Sequence, residues 1–458
     1  MKTITLDSIH PATDDLTVPQ PAFSDLAVEV QPAETAGNAA IDRRERFFSE
    51  IPRHVPAAPL SPFERATVLV HSHLRWDFVW QRPQQIFSRL AAHHPVLFLE
   101  DPLWHDGSSQ LQISRPLPNI TRLVPHLSSH MKTATIDEQC AAVLTLFRIA
   151  QIQHRLLPGA SGSVVQWFYS PMTAPSFLGQ FGASTVVYDC MDELANFRFA
   201  PPDIAQREEF LLSKAAVVFT GGYQLFEAKS KSHSNAHFYG CGVDTAHYAT
   251  ARSPHTPIPA QLAGLAKPIL GYFGVIDERI DYELIARLAI SFSSGSIVMV
   301  GPLAKVDADQ LPKHKNLHWL GQRSYDDLPA LVKSFDVCLM PFALNEATRY
   351  INPTKTLEYM AAGKPIVSTA VADVVRNFTP LVAVGNSHEE FVAAARRAAE
   401  NPDATLIARG IARAETSSWD GVVEAMRGHM LDTLLGRCSA KEYAKPFIGM
   451  ERGEIEQN

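Results

Sequence analysis

From Ala66 onward, short apolar runs alternate with longer stretches in which apolar positions recur every three or four residues. ATVLVHS (66–72), PVLFLE (95–100), VVQWFY (164–169), STVVYD (184–189), AAVVFT (215–220) and AHFYG (236–240) each read as a buried strand. Between them lie helical patterns, such as PQQIFSRLAAHH, which opens at Pro83, where a missing N–H costs nothing, and DIAQREEFLLSK (203–214). ARSPHTPIPAQLAGLAKP (251–268), rich in Pro and Ala, interrupts the alternation and reads as a linker. A second series follows it: the strands ILGYFG (269–274), SIVMVGP (296–302), DVCLMPF (336–342) and KPIVST (364–369), with helices DYELIARLAISF (281–292) and SYDDLPALVKSF (324–335). The second of these helices opens on a Ser-x-x-Asp resembling a capping box. Strand and helix in alternation predict parallel sheets with helices on both faces, hence an α/β chain of two Rossmann-like, doubly wound domains facing across a cleft.

The predicted organisation is a disordered leader over 1–64, a first domain over 65–250, a second over 251–418, and a helix and tail over 419–458. The first forty residues carry one early lysine, then acids and prolines without an apolar core, which reads as an unstructured leader and not a secretory signal. In SSWDGVVEAMRGHMLDTLL (417–435), Trp419, Val422, Val423, Met426 and Met430 or Leu431 fall at helical spacing, and KEYAKPFIGMERGEIEQN beyond it reads as loosely ordered.

The 458 residues are 46% hydrophobic and 19% charged, with no apolar run long enough to span a bilayer. A net charge of −7 argues against nucleic acid as the main partner. Five scattered cysteines, none in a CxxC or zinc-ligand spacing, suit a reducing cytoplasm. No histidine cluster or HExxH indicates a metal, and Asp307–Ala308–Asp309 lies in a polar stretch that reads as a surface loop.

Candidate chemistry concentrates in NPTKTLEYMAAGKPIVST (352–369). Asn352 is a suitable N-cap, Pro353 a first-turn proline and Gly363 a C-terminal glycine, so a helix is predicted over 353–362. Lys355 and Glu358 would share one face near its N-terminus. They form either an ordinary surface ion pair or a phosphate-binding lysine beside a diol-binding carboxylate. Gly274, directly after a strand, and Arg279, in the loop that follows, tilt the choice: bare backbone admits a ligand closely and a guanidinium can fork onto a diphosphate.

Taken together, FYGCGVDTAHY (238–248), GYFGVIDERIDYELI (271–285), HWLGQRSYDDLPALVKSFDVCLMPF (318–342) and NPTKTLEYMAAGKPIVST resemble the two-domain, GT-B-fold glycosyltransferases that use nucleotide sugars. Within that fold they resemble the large retaining group of bacterial polysaccharide and glycolipid synthesis, glycosyl transferases group 1. WDFVWQRPQQIFSRLA (76–91) and VVYDCMDELANF (186–197) are similar to a bacterial subgroup, and the resemblance covers about residues 65–430. It implies that Glu358 holds the ribose hydroxyls, that Arg279 and Lys355 face the diphosphate with Gly274 admitting it, and that Gly321, Gln322 and Arg323 flank the base. It also implies a nucleotide diphosphate sugar as donor, most often with uridine, a carbohydrate or lipid-linked acceptor, no cofactor or metal, and a cytoplasmic enzyme with at most peripheral contact with the inner membrane. The family's first glutamate would fall at position 350, where this chain has Tyr350. Glu346, Asn345 or the TRYIN loop (348–352) would have to take over its role, and the retaining outcome stays open.

In the first half, Asp189 and Asp192 follow a strand, where one could act as a base toward an acceptor hydroxyl or both could bind loop backbone. His71, His73, Arg82 and Gln84 are placed to meet an acceptor sugar or phosphate, and Trp76 and Trp80 to stack on a sugar or pack a core. An epimerase or hydrolase on the same scaffold, or a non-catalytic nucleotide-sugar-binding subunit, are the competing readings.

Overall fold

The computed structural model describes residues 66–157, 163–181 and 184–436, together with the backbone of two short strands nearer the N-terminus. The chain divides into two compact units, Met1–Asp189 with Phe199–Ala216, and Cys190–Arg198 with Val217–Asn458.

In the first unit the strands are β1 (Lys2–Ile4), β2 (Leu26–Val30), β3 (Thr67–Ser72), β4 (Val96–Glu100), β5 (Leu103–His105), β6 (Ser109–Leu117), β7 (Ile120–Ser128), β8 (Val164–Phe168) and β9 (Ser184–Cys190). They lie side by side in the order β1-β2-β6-β7-β4-β3-β8-β9, with β5 alongside β7. The centre, β7-β4-β3-β8-β9, is parallel as expected. The far side is not: β6 and β7 form an antiparallel hairpin turning at Pro118–Asn119, with Asn119 left-handed at φ 61°. Alternating buried and half-buried positions along β6 show one face turned to the core, a period-two pattern that the sequence expectation passed over. The leader also departs from its expected disorder at two places. β2 alternates Leu26, Val28 and Val30 and adds in parallel to β6, and β1 pairs antiparallel with β2. The rest of the leader, like the tail after Gly436, lies outside the described residues. Between β3 and β8 the chain reverses its direction of strand addition, so the carboxyl ends of those two strands form this unit's topological switch point.

The second unit contributes β10 (Val217–Thr220) and β11 (Ala236–Phe238), a parallel pair, and a fully parallel sheet of β12 (Ile269–Phe273), β13 (Ser296–Val300), β14 (Leu317–Trp319), β15 (Val337–Met340), β16 (Ile366–Thr369) and β17 (Ala383–Gly385). Its order, β14-β13-β12-β15-β16-β17, is the doubly wound dinucleotide-binding order, with the switch point between β12 and β15. These strands are almost wholly apolar because helices cover both faces. Leu284, Ile285 and Leu288 of the helix Tyr282–Ser291 and Phe391, Ala394 and Ala395 of the helix His388–Glu400 are buried in the same core. The helix Trp419–Leu434 buries Trp419, Val422, Val423, Met426 and Met430, the face expected from its spacing. Val243 pairs with Ser418 beside it, and a Cβ at Gly242 would lie 2.7 Å from the Trp419 backbone, so the two segments pack without room for a side chain. The expected Ser324 capping box does not form. A single 3-10 turn, Tyr325–Asp327, precedes the helix Leu328–Ser334, and Ser324 accepts the Asp327 N–H through its carbonyl.

Candidate nucleotide site

The carboxyl ends of β12, β13 and β14 are joined by their backbones through three glycines. Gly274 N–H donates to the Val300 carbonyl and Gly301 N–H to the Gly321 carbonyl, each at 2.9 Å. Gly274 sits at φ 151° and Gly301 at φ 148°. A Cβ on Gly301 would stand 1.7 Å from the Gly274 carbonyl oxygen, so only glycine lets these strand ends touch. The result is a shelf of bare backbone at the end of β12, with Gly321 and Gln322 exposed on the loop after β14.

Lys355 and Glu358 meet this shelf. A Cβ on Gly274 would lie 3.0 Å from Lys355 Cε, and Lys355 Nζ stands 5.2 Å from the centre of the Phe273 ring. Nζ donates to Thr354 Oγ1 at 3.0 Å and lies 3.5 Å from Glu358 Oε2. Glu358 is 8% exposed, and its Oε2 accepts no hydrogen bond among the described residues. Burial, and then the Glu358 charge beside it, push the Tyr248 phenol well above its ordinary pKa. The helix here spans Lys355–Ala361, shorter than the predicted 353–362, because Asn352 does not cap it. Asn352 Nδ2 donates instead to the Gly221 carbonyl at 3.1 Å, binding this segment to the loop after β10.

Arg279 is held by a neighbour that the sequence reading passed over. Its Nε donates to both oxygens of Asp277, at 3.0 and 3.1 Å, and its Nη2 to Oδ2 at 2.6 Å, while its backbone N–H reaches Oδ1 at 2.9 Å. Burial would lower the Arg279 pKa, but these bonds and the Asp277 charge hold it above its usual value. The signal was present in the sequence as Asp-x-Arg, a spacing at which a carboxylate reaches both the backbone and the side chain two residues on.

The two aspartates of YDCMDE part company. Asp192 belongs to the second unit, where its charge also bears on Arg279 and where Phe197 places its ring 5.8 Å from the Arg279 guanidinium. Asp189 lies in the first unit, wholly buried, taking Arg82 Nε at 3.1 and 3.2 Å and Nη2 at 2.9 Å. Arg82 is itself 2% exposed, so this is an interior ion pair. Gln84 is also buried and donates to the Trp76 carbonyl at 2.9 Å, and Trp76 packs edge-on against Phe98. His71 stacks on Phe168 at 4.1 Å, its Nδ1 lies 3.0 Å from Thr173 Oγ1, and burial depresses its pKa to about 3. In the same unit Glu100 is buried between Arg75 and Arg122, and burial raises the adjacent Asp101 to about 6, against the pull of Arg75.

Of the groups that could replace a glutamate at position 350, Glu346 is exposed and 3.6 Å from Arg349, and the Asn345 side chain accepts the Thr348 N–H at 3.1 Å and donates to the Glu278 carbonyl at 3.4 Å. The Tyr350 ring lies 5.4 Å from the Arg349 guanidinium, and a Cβ on Gly222 would meet the Tyr350 carbonyl at 2.8 Å. Asp307 precedes, and Asp309 lies within, the exposed 3-10 turn Ala308–Gln310. Among the described residues no group of three or more His, Cys, Asp or Glu is arranged to hold a metal ion, and no helix is long and apolar enough to cross a membrane.

Residues 268–401, which contain this site, match the family model of glycosyl transferases group 1. A protein of Bacillus subtilis (strain 168) assigned as a teichuronic acid biosynthesis glycosyltransferase is 28% identical over 168 residues, 35% of this chain and 42% of that relative's length. Among solved structures, sucrose-phosphate synthase from Thermosynechococcus elongatus superimposes with a TM-score of 0.61 at 16% identity, covering 82% of this chain and all of that one. An alpha,alpha-trehalose-phosphate synthase (UDP-forming) from Burkholderia vietnamiensis does so with a TM-score of 0.58 at 11% identity, covering 80% and 98%. At such identities the likeness is one of fold: two Rossmann-like domains in the GT-B arrangement.

Proposed function

We propose, for a chain of GT-B fold whose residues 268–401 match glycosyl transferases group 1, that it transfers a sugar from a nucleotide diphosphate sugar to a carbohydrate or lipid-linked acceptor in cell-surface polysaccharide or glycolipid synthesis. The observation that carries this reading is Glu358: a buried carboxylate with one oxygen accepting no hydrogen bond, beside Lys355, at the carboxyl edge of a doubly wound sheet. A buried acceptor of this kind is costly unless it is satisfied, and a ribose hydroxyl can donate the hydrogen bond that Oε2 lacks. Lys355 and Arg279 then face the diphosphate, and Gly274 and Gly301 keep side chains out of its way. As the glycosidic bond breaks, negative charge grows on the departing diphosphate, and fixed cations lower the barrier by meeting it there. UDP is the favoured nucleotide, in keeping with the solved structure described as UDP-forming.

Titration calorimetry with UDP, GDP, ADP and CMP tests the site. Selective binding of one diphosphate, weakened by Glu358→Gln, is the expected result, and no binding at millimolar concentration would overturn it. The matching sugar nucleotide is then supplied with and without candidate acceptors. Turnover without acceptor would mark a hydrolase or epimerase instead. Tyr350, where the family's first glutamate would stand, favours a second reading, a nucleotide-sugar-binding subunit, for which nucleotide binds and no acceptor gives turnover.

A further inference from the structure

The loop between β12 and the helix Tyr282–Ser291 is fastened on both sides by backbone. Ile276 N–H donates to the Pro302 carbonyl at 2.9 Å, Asp281 N–H to Pro341 at 2.9 Å, and Ala343 N–H to the Arg279 carbonyl at 2.8 Å. Tyr282 Oη adds a bond to the Asp277 carbonyl at 2.9 Å. The backbone of Arg279 is thus fixed, but a long side chain on a fixed backbone still has several rotamers to lose. Asp277 removes that freedom. It is 7% exposed, and its two oxygens take the Nε and Nη2 edge of the guanidinium, leaving Nη1 without a bond in that fork. The other charges facing Arg279 and its loop are Asp192, Glu278 and Lys305, the last 3.9 Å from Glu278, with Phe197 against both cations.

We infer that Asp277 is a positioning residue for the donor site: it clamps one edge of the Arg279 guanidinium so that the other edge is presented, already ordered, to the diphosphate. The inference rests on the donor-site reading above. A carboxylate beside a cation weakens its pull on an anion. That loss is smaller than the gain when the guanidinium would otherwise have to be ordered, because an oriented donor pair is worth more than a mobile charge. Asp277 touches no substrate and acts only through Arg279.

The test is a set of titrations of UDP and uridine against wild type, Asp277→Asn, Arg279→Gln and the double variant. Asp277→Asn is expected to weaken UDP by about tenfold and to leave uridine unchanged, and the double variant is expected to bind UDP no more weakly than Arg279→Gln alone. UDP binding that is unchanged or tighter in Asp277→Asn would make Asp277 a competitor of the ligand and overturn the inference. Equal losses for UDP and uridine, or losses that simply add in the double variant, would overturn it as well. Should Asp277→Asn fail to fold, Arg279→Lys serves, since lysine keeps the charge but cannot occupy the fork: selectivity for UDP over uridine should fall with the melting temperature unchanged. Retained selectivity there would reject the clamp. If wild type itself binds neither ligand, the donor-site reading fails on its own, which the wild-type titration shows before any variant is made.

Discussion

Lys355 Nζ stands 3.5 Å from Glu358 Oε2, one helical turn along the same face, at the edge of a glycine-lined shelf. Each neutralises part of the other's charge, and a ribose and a phosphate would satisfy them separately. Glu358→Gln is expected to lose about 1–3 kcal/mol of nucleoside diphosphate binding, since the amide accepts at only one of its two positions. Lys355→Gln should weaken the diphosphate and flatten the salt dependence of its affinity. Calorimetry at two ionic strengths measures both, and an unchanged affinity in Glu358→Gln would remove its ribose role.

Gly301→Ala is expected to destabilise the second unit by about 1–3 kcal/mol or more, through an unfavourable φ and a clash with the Gly274 carbonyl. Gly264→Ala, at an ordinary φ with nothing within 4 Å of the added carbon, is the control and should change little. Chemical denaturation of the pair decides it: equal stabilities would show that the β12 and β13 ends can separate at little cost.

The Arg82–Asp189 pair has a different signature. Removing one partner strands a buried charge, so Asp189→Ala should cost about 3–5 kcal/mol of stability. Replacing both, as Arg82→Met with Asp189→Leu, should recover much of that loss. If Asp189→Ala melts like wild type but loses transfer activity, Asp189 serves the reaction directly and not the fold.

His71 ties stability to pH. Its folded pKa, about 3, lies below the unfolded value of 6.5, so above 6.5 both states are neutral and stability is unaffected. As pH falls from 6.5 toward 3 the unfolded chain takes up a proton that the folded chain refuses, and stability drops by up to about 1.4 kcal/mol per pH unit. Asp101, raised from 3.8 to about 6, works in the opposite sense: its contribution is present below 3.8 and lost as pH rises through 6. Comparing wild type with His71→Asn isolates the first effect. The variant should lose less stability than wild type between about pH 7 and pH 4, and parallel losses would show that His71 titrates normally in the fold.

The sequence by itself determined the α/β class, because strands buried on both faces must be apolar throughout and the helices between them must carry one apolar face. It also marked Lys355, Glu358, Gly274 and Arg279 as a set, because their signals are local: a residue type at a strand end or a spacing of one helical turn. Tertiary structure decided the rest. Asp189 and Arg82 are 107 residues apart, and nothing in either neighbourhood announces that the two charges close on each other in the interior. Asn352 has the chemistry of a helix cap but spends its amide on the Gly221 carbonyl, a partner that exists only once β10 is in place. The β6–β7 hairpin and the pairing of β2 with β6 likewise follow from which edges were left open by the parallel core. Periodicity along a chain records which face of an element is covered; what covers it is settled when elements distant in sequence compete for the same edge, and that competition is resolved only in three dimensions.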